Sequence, residues 1–174
     1  GKTIAASGFD FKIRLLKYKN FDFLGTKETA SDPTYIVKNI NGIKIGMVAY
    51  TYGTNNSANG ASELLNYFSS SNLSAFYTKA QSVIDNMKQN GAEAIVFYMH
   101  WGNEYQTKPN TYQKDIAQRL CNMGVDVIVG GHPHVLQPIE LIHSEDSQNT
   151  TVCLENMPGT AGVIRTGSDM ARML

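Results

Sequence analysis

Two almost wholly apolar runs, AIVFYMH at Ala94–His100 and VDVIVGG at Val125–Gly131, bracket an amphipathic stretch. No other feature limits the possible folds as much. A strand without polar alternation has to be buried on both faces, as strands inside parallel sheets are. The intervening NTYQKDIAQRLCNMG spaces Ile116, Ala117, Leu120 and Met123 at helical intervals and stops at Gly124. Strand, helix and strand in that order predict a parallel pair, adjacent or nearly so, joined by a right-handed crossover.

The flanking sequence extends this α/β pattern. In TYIVKNINGIKIGMVAYTYG, Asn41-Gly42 separates two β-rich runs, the signature of a tight hairpin, with Ile45 and Met47 on one face of the second strand. SNLSAFYTKAQSVIDNMKQNG starts with Ser and Asn capping residues, aligns Phe76, Ala80, Val83, Ile84 and Met87, and ends at Gly91: a helix. DFKIRLLKY has the spacing of a short amphipathic helix, with Ile13, Leu15 and Leu16 beside basic residues. FDFLGTKETASDP and YGTNNSANGAS read as strand-end and loop. VLQPIELIH and TTVCLE predict two further strands, compatible with a hairpin, whereas NMPGTAGVIRTGSDMARML supports no assignment.

At 174 residues and 42% hydrophobic, the chain suits one domain, residues 1–174, with a real core. Fifteen basic and fifteen acidic residues cancel, so no electrostatic signal points to nucleic acid or an anionic membrane. A charged fraction of 17% beside plentiful Asn, Ser, Thr and Tyr fits a location outside the cytoplasm. No run is long and apolar enough to span a bilayer, and GKTIAASGFD lacks the charged-then-apolar order of a signal peptide. Its GKT lacks the glycine and strand that would precede a phosphate-binding loop. Cys121 and Cys153 have no metal-ligand spacing; they read as small core residues, free or, in an oxidising compartment, bonded.

The chemistry concentrates in the histidines. Only four exist, and three fall where the predicted parallel strands end: His100 after the first, His132 and His134 in GGHPHV after the second. In parallel sheets, ligands gather at the carboxyl edge. Gly130 and Gly131 allow a sharp turn and a close backbone approach. Pro133 biases His132 toward extended backbone, where residues two apart point the same way, so His132 and His134 are expected to face one centre. One strand-end histidine is ordinarily structural; three converging on one rim favour a metal or catalytic site. Nitrogen donors with carboxylates suit Zn, Mn or Fe. Glu104, four residues after His100, reads as a base, an outer carboxylate or a plain solvated residue, and is taken with His100 as catalytic. His143 reads as surface, Trp101 as packing, and Asp126 as a mid-strand structural residue.

The segment IVFYMHWGNEYQTKPNTYQKDIAQRLCNMGVDVIVGGHPHVLQPIE, with HWG-E-Y, Gln113 and GHPHVLQPIE, resembles the bacterial capsule synthesis, or poly-γ-glutamate synthesis, family; FDFLGT and NGIKIGMVAYTYGTN match its middle section. That resemblance implies a calcineurin-like metallophosphoesterase fold, a β-sandwich of mixed sheets flanked by helices, with this chain as the C-terminal portion of the domain. It also implies that His100 and His132 hold one divalent metal and His134 a second, a dinuclear centre in a full-length parent. The family's remaining ligands lie upstream in an Asp-x-His, a further carboxylate and an Asn-His pair. This sequence contains neither an Asp two residues before a histidine nor an Asn-His pair, and LENMPGT replaces the family's SLGNF-like strand.

Two functions follow from the resemblance. One is a metal-dependent, phosphoesterase-like hydrolase site, incomplete in this chain, acting on a phosphoester or on a polyanionic polymer in capsule formation. The other is a non-catalytic surface module that binds polymer or a partner in a membrane synthesis complex. Both imply an extracellular location and a membrane-anchored parent.

Overall fold

The computed structural model describes residues 22–27, 29–53 and 62–156. The helix expected over DFKIRLLKY, the GKT start, most of YGTNNSANGAS and nearly all of the last stretch lie outside the described residues. The described elements are β1 (Tyr35–Ile40), β2 (Ile43–Thr51), a 3-10 turn (Ser62–Leu64), α1 (Leu73–Gln89), β3 (Ala94–His100), α2 (Thr111–Asn122), β4 (Val127–Gly131), β5 (Ile139–His143) and β6 (Thr150–Leu154).

The strands form one mixed sheet in the order β1-β2-β3-β4-β6-β5. β2, β3, β4 and β6 run parallel, and β1 and β5 close the edges antiparallel to their neighbours. The α/β class, the mixed sheet and the flanking helices are as the sequence predicts. A second sheet of the implied sandwich is not among the described residues. The hairpin turns at Asn41-Gly42, where Ile40 pairs with Ile43 and both turn residues have positive φ, 52° and 95°. VLQPIELIH and TTVCLE supply β5 and β6, an antiparallel pair.

Period explains burial. On one face Val48, Tyr50, Ile95, Phe97, Met99, Ile128 and Cys153 are buried and join Phe76, Ala80, Ile84 and Met87 of α1 and Ile116, Ala117 and Leu120 of α2 in a single core. Tyr50 meets Phe76 edge-on at 5.1 Å and stacks on Phe97 at 6.0 Å. Each of the large aliphatic and aromatic side chains among them contributes roughly 1.5–3 kcal/mol by leaving water. The opposite face carries half-buried Val96, Tyr98, Val127 and Val129, then Ile139 and Leu141, exposed at 69% and 66%.

Side-chain caps fix the helix starts. Asn72 Oδ1 accepts from the Ala75 amide. Asn110 and Gln113 form a reciprocal capping box on α2. Asp126 lies immediately before β4, not within a strand, and its carboxylate accepts from the Ile95 amide at 2.7 Å, tying β3 to the entry of β4. Cys121 and Cys153 are buried and free. Among the described residues no helix is long and apolar enough to cross a membrane.

Candidate metal centre

Parallel register assembles the site. Thr51 of β2 pairs with His100 of β3, and His100 pairs with Gly131 of β4, so three strands end on one rim. The His100 and His132 rings lie 4.7 Å apart and those of His132 and His134 5.8 Å apart, so the three imidazoles meet at the carboxyl edge. One ligand atom from each of Glu104, His132 and His134 can be chosen so that all lie within 4.8 Å of one another. His100 stands beside that cluster, against His132. Glu104 Oε1 is 3.6 Å from His134 Nε2; the Glu104 side chain is 46% exposed and that of His134 20%. His143 is exposed and pairs its Nδ1 with Thr150 Oγ1, away from this edge.

The histidine loop reaches this geometry by a different route from the extended one that Pro133 suggests. His132 has φ 107° and His134 φ 60°, both left-handed. For a residue with a Cβ this backbone costs roughly 1–2 kcal/mol. Tertiary bonds impose it: the Trp101 amide donates to the Gly131 carbonyl and the Tyr105 amide to the Pro133 carbonyl at 2.7 Å. These bonds lock the loop after β4 to the segment after β3, which carries Glu104. Tyr105 itself has φ 62°.

Tyr52 joins the site without any local motif to announce it. Its hydroxyl shares a 2.8 Å hydrogen bond with His132 Nε2, and its ring stacks on His100 at 5.7 Å. Partial burial, followed by the charge of Glu104, raises its phenol above the usual value. A signal did exist: a hairpin strand parallel to β3 and in register with it must end at the same rim, and Tyr52 is its next residue.

Behind the rim lies a buried polar set. Gln113, Gln137, Glu155 and Asn156 are all at most 6% exposed. Trp101, fully buried, donates its indole N–H to the Glu155 carbonyl at 3.0 Å, so it packs beneath the site and does not wall it. Burial lifts the Glu155 carboxyl to about 7, partly offset by hydrogen bonds from Cys153 and Gln113.

The donors present fit a divalent ion. Two imidazoles and one carboxylate leave coordination positions open, as catalytic Zn sites and mononuclear Fe(II) sites do. His132 and His134 would hold such an ion with Glu104, and His100 and Tyr52 would flank it.

A family described as bacterial capsule synthesis protein PGA_cap matches residues 4–153. Over 137 residues the chain is 31% identical to the capsule biosynthesis protein CapA of Bacillus anthracis, covering 78% of this chain and 33% of that one. Over 50 residues it is 48% identical to the PGA biosynthesis protein CapA of Bacillus subtilis, 29% of this chain and 13% of that one. The chain therefore aligns with a third or less of the length of these curated relatives. The Thermus thermophilus sulfate thiohydrolase SoxB, solved in complex with glycerol, superposes with a TM-score of 0.49 at 20% identity, over 83% of this chain and 25% of that one.

Proposed function

Because the chain belongs to the bacterial capsule synthesis protein PGA_cap family, we propose that it serves capsule-polymer formation through a metal-dependent, phosphoesterase-like hydrolase site. The observation that carries this reading is the placement of Glu104, His132 and His134 within mutual ligand distance on the carboxyl rim of a parallel sheet. A divalent ion, Mn, Zn or Fe, would supply a Lewis acid and an activated water there. The chain's own groups do the rest. His132 and His134 are held in a fixed orientation by the locked loop, and His100 lies against His132. Glu104 is half-exposed beside His134. A phosphoester or a polyanionic polymer such as poly-γ-glutamate is the substrate class, and nucleic acid is not.

In this reading residues 1–174 form one domain, the C-terminal part of a capsule-synthesis domain. The longer parent stands outside the cell, anchored to the membrane beside the synthesis machinery, and supplies the ligands that make the centre dinuclear. The chain alone binds one equivalent of metal weakly and hydrolyses phosphoesters poorly.

Isothermal titration with Mn²⁺ or Zn²⁺ tests this. One weak equivalent that His132→Ala abolishes is expected. Two tight equivalents would refute the half-site reading, and no binding would refute the metal site altogether.

One observation favours a second reading, a non-catalytic module that binds polymer or a partner: among the described residues the cluster has a single carboxylate. His132→Ala in the full-length parent separates the two. Unchanged polymer output in cells supports the binding module, and lost output supports the hydrolase.

A further inference from the structure

The metal-site residues stand on two loops, one after β3 and one after β4, and neither loop is an element of regular structure. A buried amide joins the segments that must keep these loops in register. Gln113, on the first turn of α2, is fully buried. Its Oε1 accepts from the Asn110 amide at 3.0 Å. Its Nε2 donates to Gln137 Oε1 at 3.0 Å and to Glu155 Oε2 at 3.3 Å. Gln137 Nε2 in turn donates to the Gln106 carbonyl at 2.8 Å. The Glu155 amide donates to the Pro138 carbonyl at 3.2 Å, and Asn156 Nδ2 donates to the Val135 carbonyl.

One side chain thus sits at the junction of three chain segments: 101–106, which carries Glu104; 132–138, which carries His132 and His134; and 155–156 after β6. The fit is tight. A Cβ on Gly102 would stand 2.8 Å from Gln113 Oε1 and 3.1 Å from Pro133 Cγ, so Gln113 and the histidine loop press on the same point of the segment after β3. An amide suits this place because it donates and accepts at once. An apolar replacement of similar size would take the Gln113 donor from buried Gln137 Oε1 and Glu155 Oε2 and the acceptor from the half-buried Asn110 amide.

We propose that Gln113 is the positioning residue of the candidate metal centre: through Gln137 and Glu155 it sets the spacing between Glu104 and the His132–His134 pair. Its service to a metal ion rests on the reading given under Proposed function; the spacing itself does not. Groups bonded directly to a metal ligand typically change metal affinity by roughly 10–100-fold when removed; Gln113 acts one step further out, through Gln137 and Glu155, so the lower end of that range is its upper bound.

Two readouts on the whole chain separate these claims. The first is the imidazole ¹⁵N spectrum of the metal-free protein. Gln113→Met is expected to shift or broaden the signals of His132 and His134 and to leave His143 unchanged. The second is Zn²⁺ affinity by titration, expected to fall by up to roughly tenfold. Ile84→Ala, a core truncation on α1, controls for lost stability and is expected to leave His132 and His134 unchanged. Should Gln113→Met not fold, Gln137→Met removes the bonds to Gln113 and to the Gln106 carbonyl and leaves Gln113 bonded to Asn110 and Glu155; the same signals are expected to move by less. Unmoved His132 and His134 signals, or equal movement in Ile84→Ala, overturn the proposal whatever the affinity does. If the unmutated chain binds no Zn²⁺, the metal reading falls and the imidazole spectra still decide the positioning.

Discussion

The chain makes left-handed turns at both ends of its parallel strands, and the two use opposite kinds of residue. At the amino end, Asn41 and Gly42 take φ 52° and 95° between β1 and β2. Asparagine and glycine adopt this backbone at little cost, and a Cβ built on Gly42 would meet nothing within 4 Å. At the carboxyl end, His132 and His134 take φ 107° and 60°, a conformation that a ring-bearing side chain adopts only under constraint. The first turn is solved by its own sequence. The second is held from outside by bonds from Trp101, Tyr105 and the network around Gln113. Backbone strain of this kind clusters at functional sites, and here it falls on two of the three residues of the candidate ligand cluster.

Substitutions at the two ends of the sheet are expected to differ widely in effect. The largest effect is expected at Gly130, beneath the histidine loop. A Cβ there would lie 1.9 Å from the Glu155 carbonyl oxygen and 2.6 Å from Trp101 Nε1. Backbone cannot yield as a side-chain tip can, so Gly130→Ala should cost about 3 kcal/mol or more, or prevent folding. A melting curve close to that of the parent would show that the carboxyl end is less constrained than its contacts indicate.

Next is pH. Burial raises the Glu155 carboxyl from an ordinary 4.5 to about 7. The folded chain therefore holds this proton more tightly than the unfolded one. The resulting stability is complete below about pH 4.5, declines as pH rises toward 7, and is gone above it. Chemical denaturation of Glu155→Gln across that window should show a shallower decline than the parent, whereas Gly42→Ala at the amino end should preserve the parent's slope. Identical slopes in Glu155→Gln and the parent would remove Glu155 from the account.

His132→Gly should then uncouple strain from chemistry. Relief of the φ 107° backbone is expected to raise stability by about 1 kcal/mol, in a variant that no longer binds Zn²⁺. A loss of stability would mean that the Tyr52 hydrogen bond and the extra freedom of glycine in the unfolded chain together outweigh the strain. The smallest effect belongs to Asn41→Ala, a loss of about 0.5–1 kcal/mol with metal binding intact.

Local signals made much of this fold legible. Asn41-Gly42 placed the hairpin, the Phe76–Met87 stripe and its Gly91 stop placed α1, and two apolar runs around an amphipathic one placed β3, α2 and β4. The meeting of His100, His132 and His134 followed from the same reasoning, because parallel neighbours deliver their ends to one rim. Long-range constraints stayed hidden. The rule that a residue before proline prefers extended backbone is a local preference, and at His132 the bonds from Trp101 and Tyr105 override it. Tyr52 follows a different strand from the histidines it touches, so only the sheet order reveals it. Gln113 and Glu155 look like ordinary polar residues at element ends; their burial depends on three segments that come together only when folded.

Trp101 is the only tryptophan in the chain. Placed one residue after His100 and bonded through its indole to the Glu155 carbonyl, it makes the protein its own optical probe. Its emission should respond when an ion reaches the rim or when the amides beneath it loosen, so occupancy and loop order can be followed in solution without any attached label.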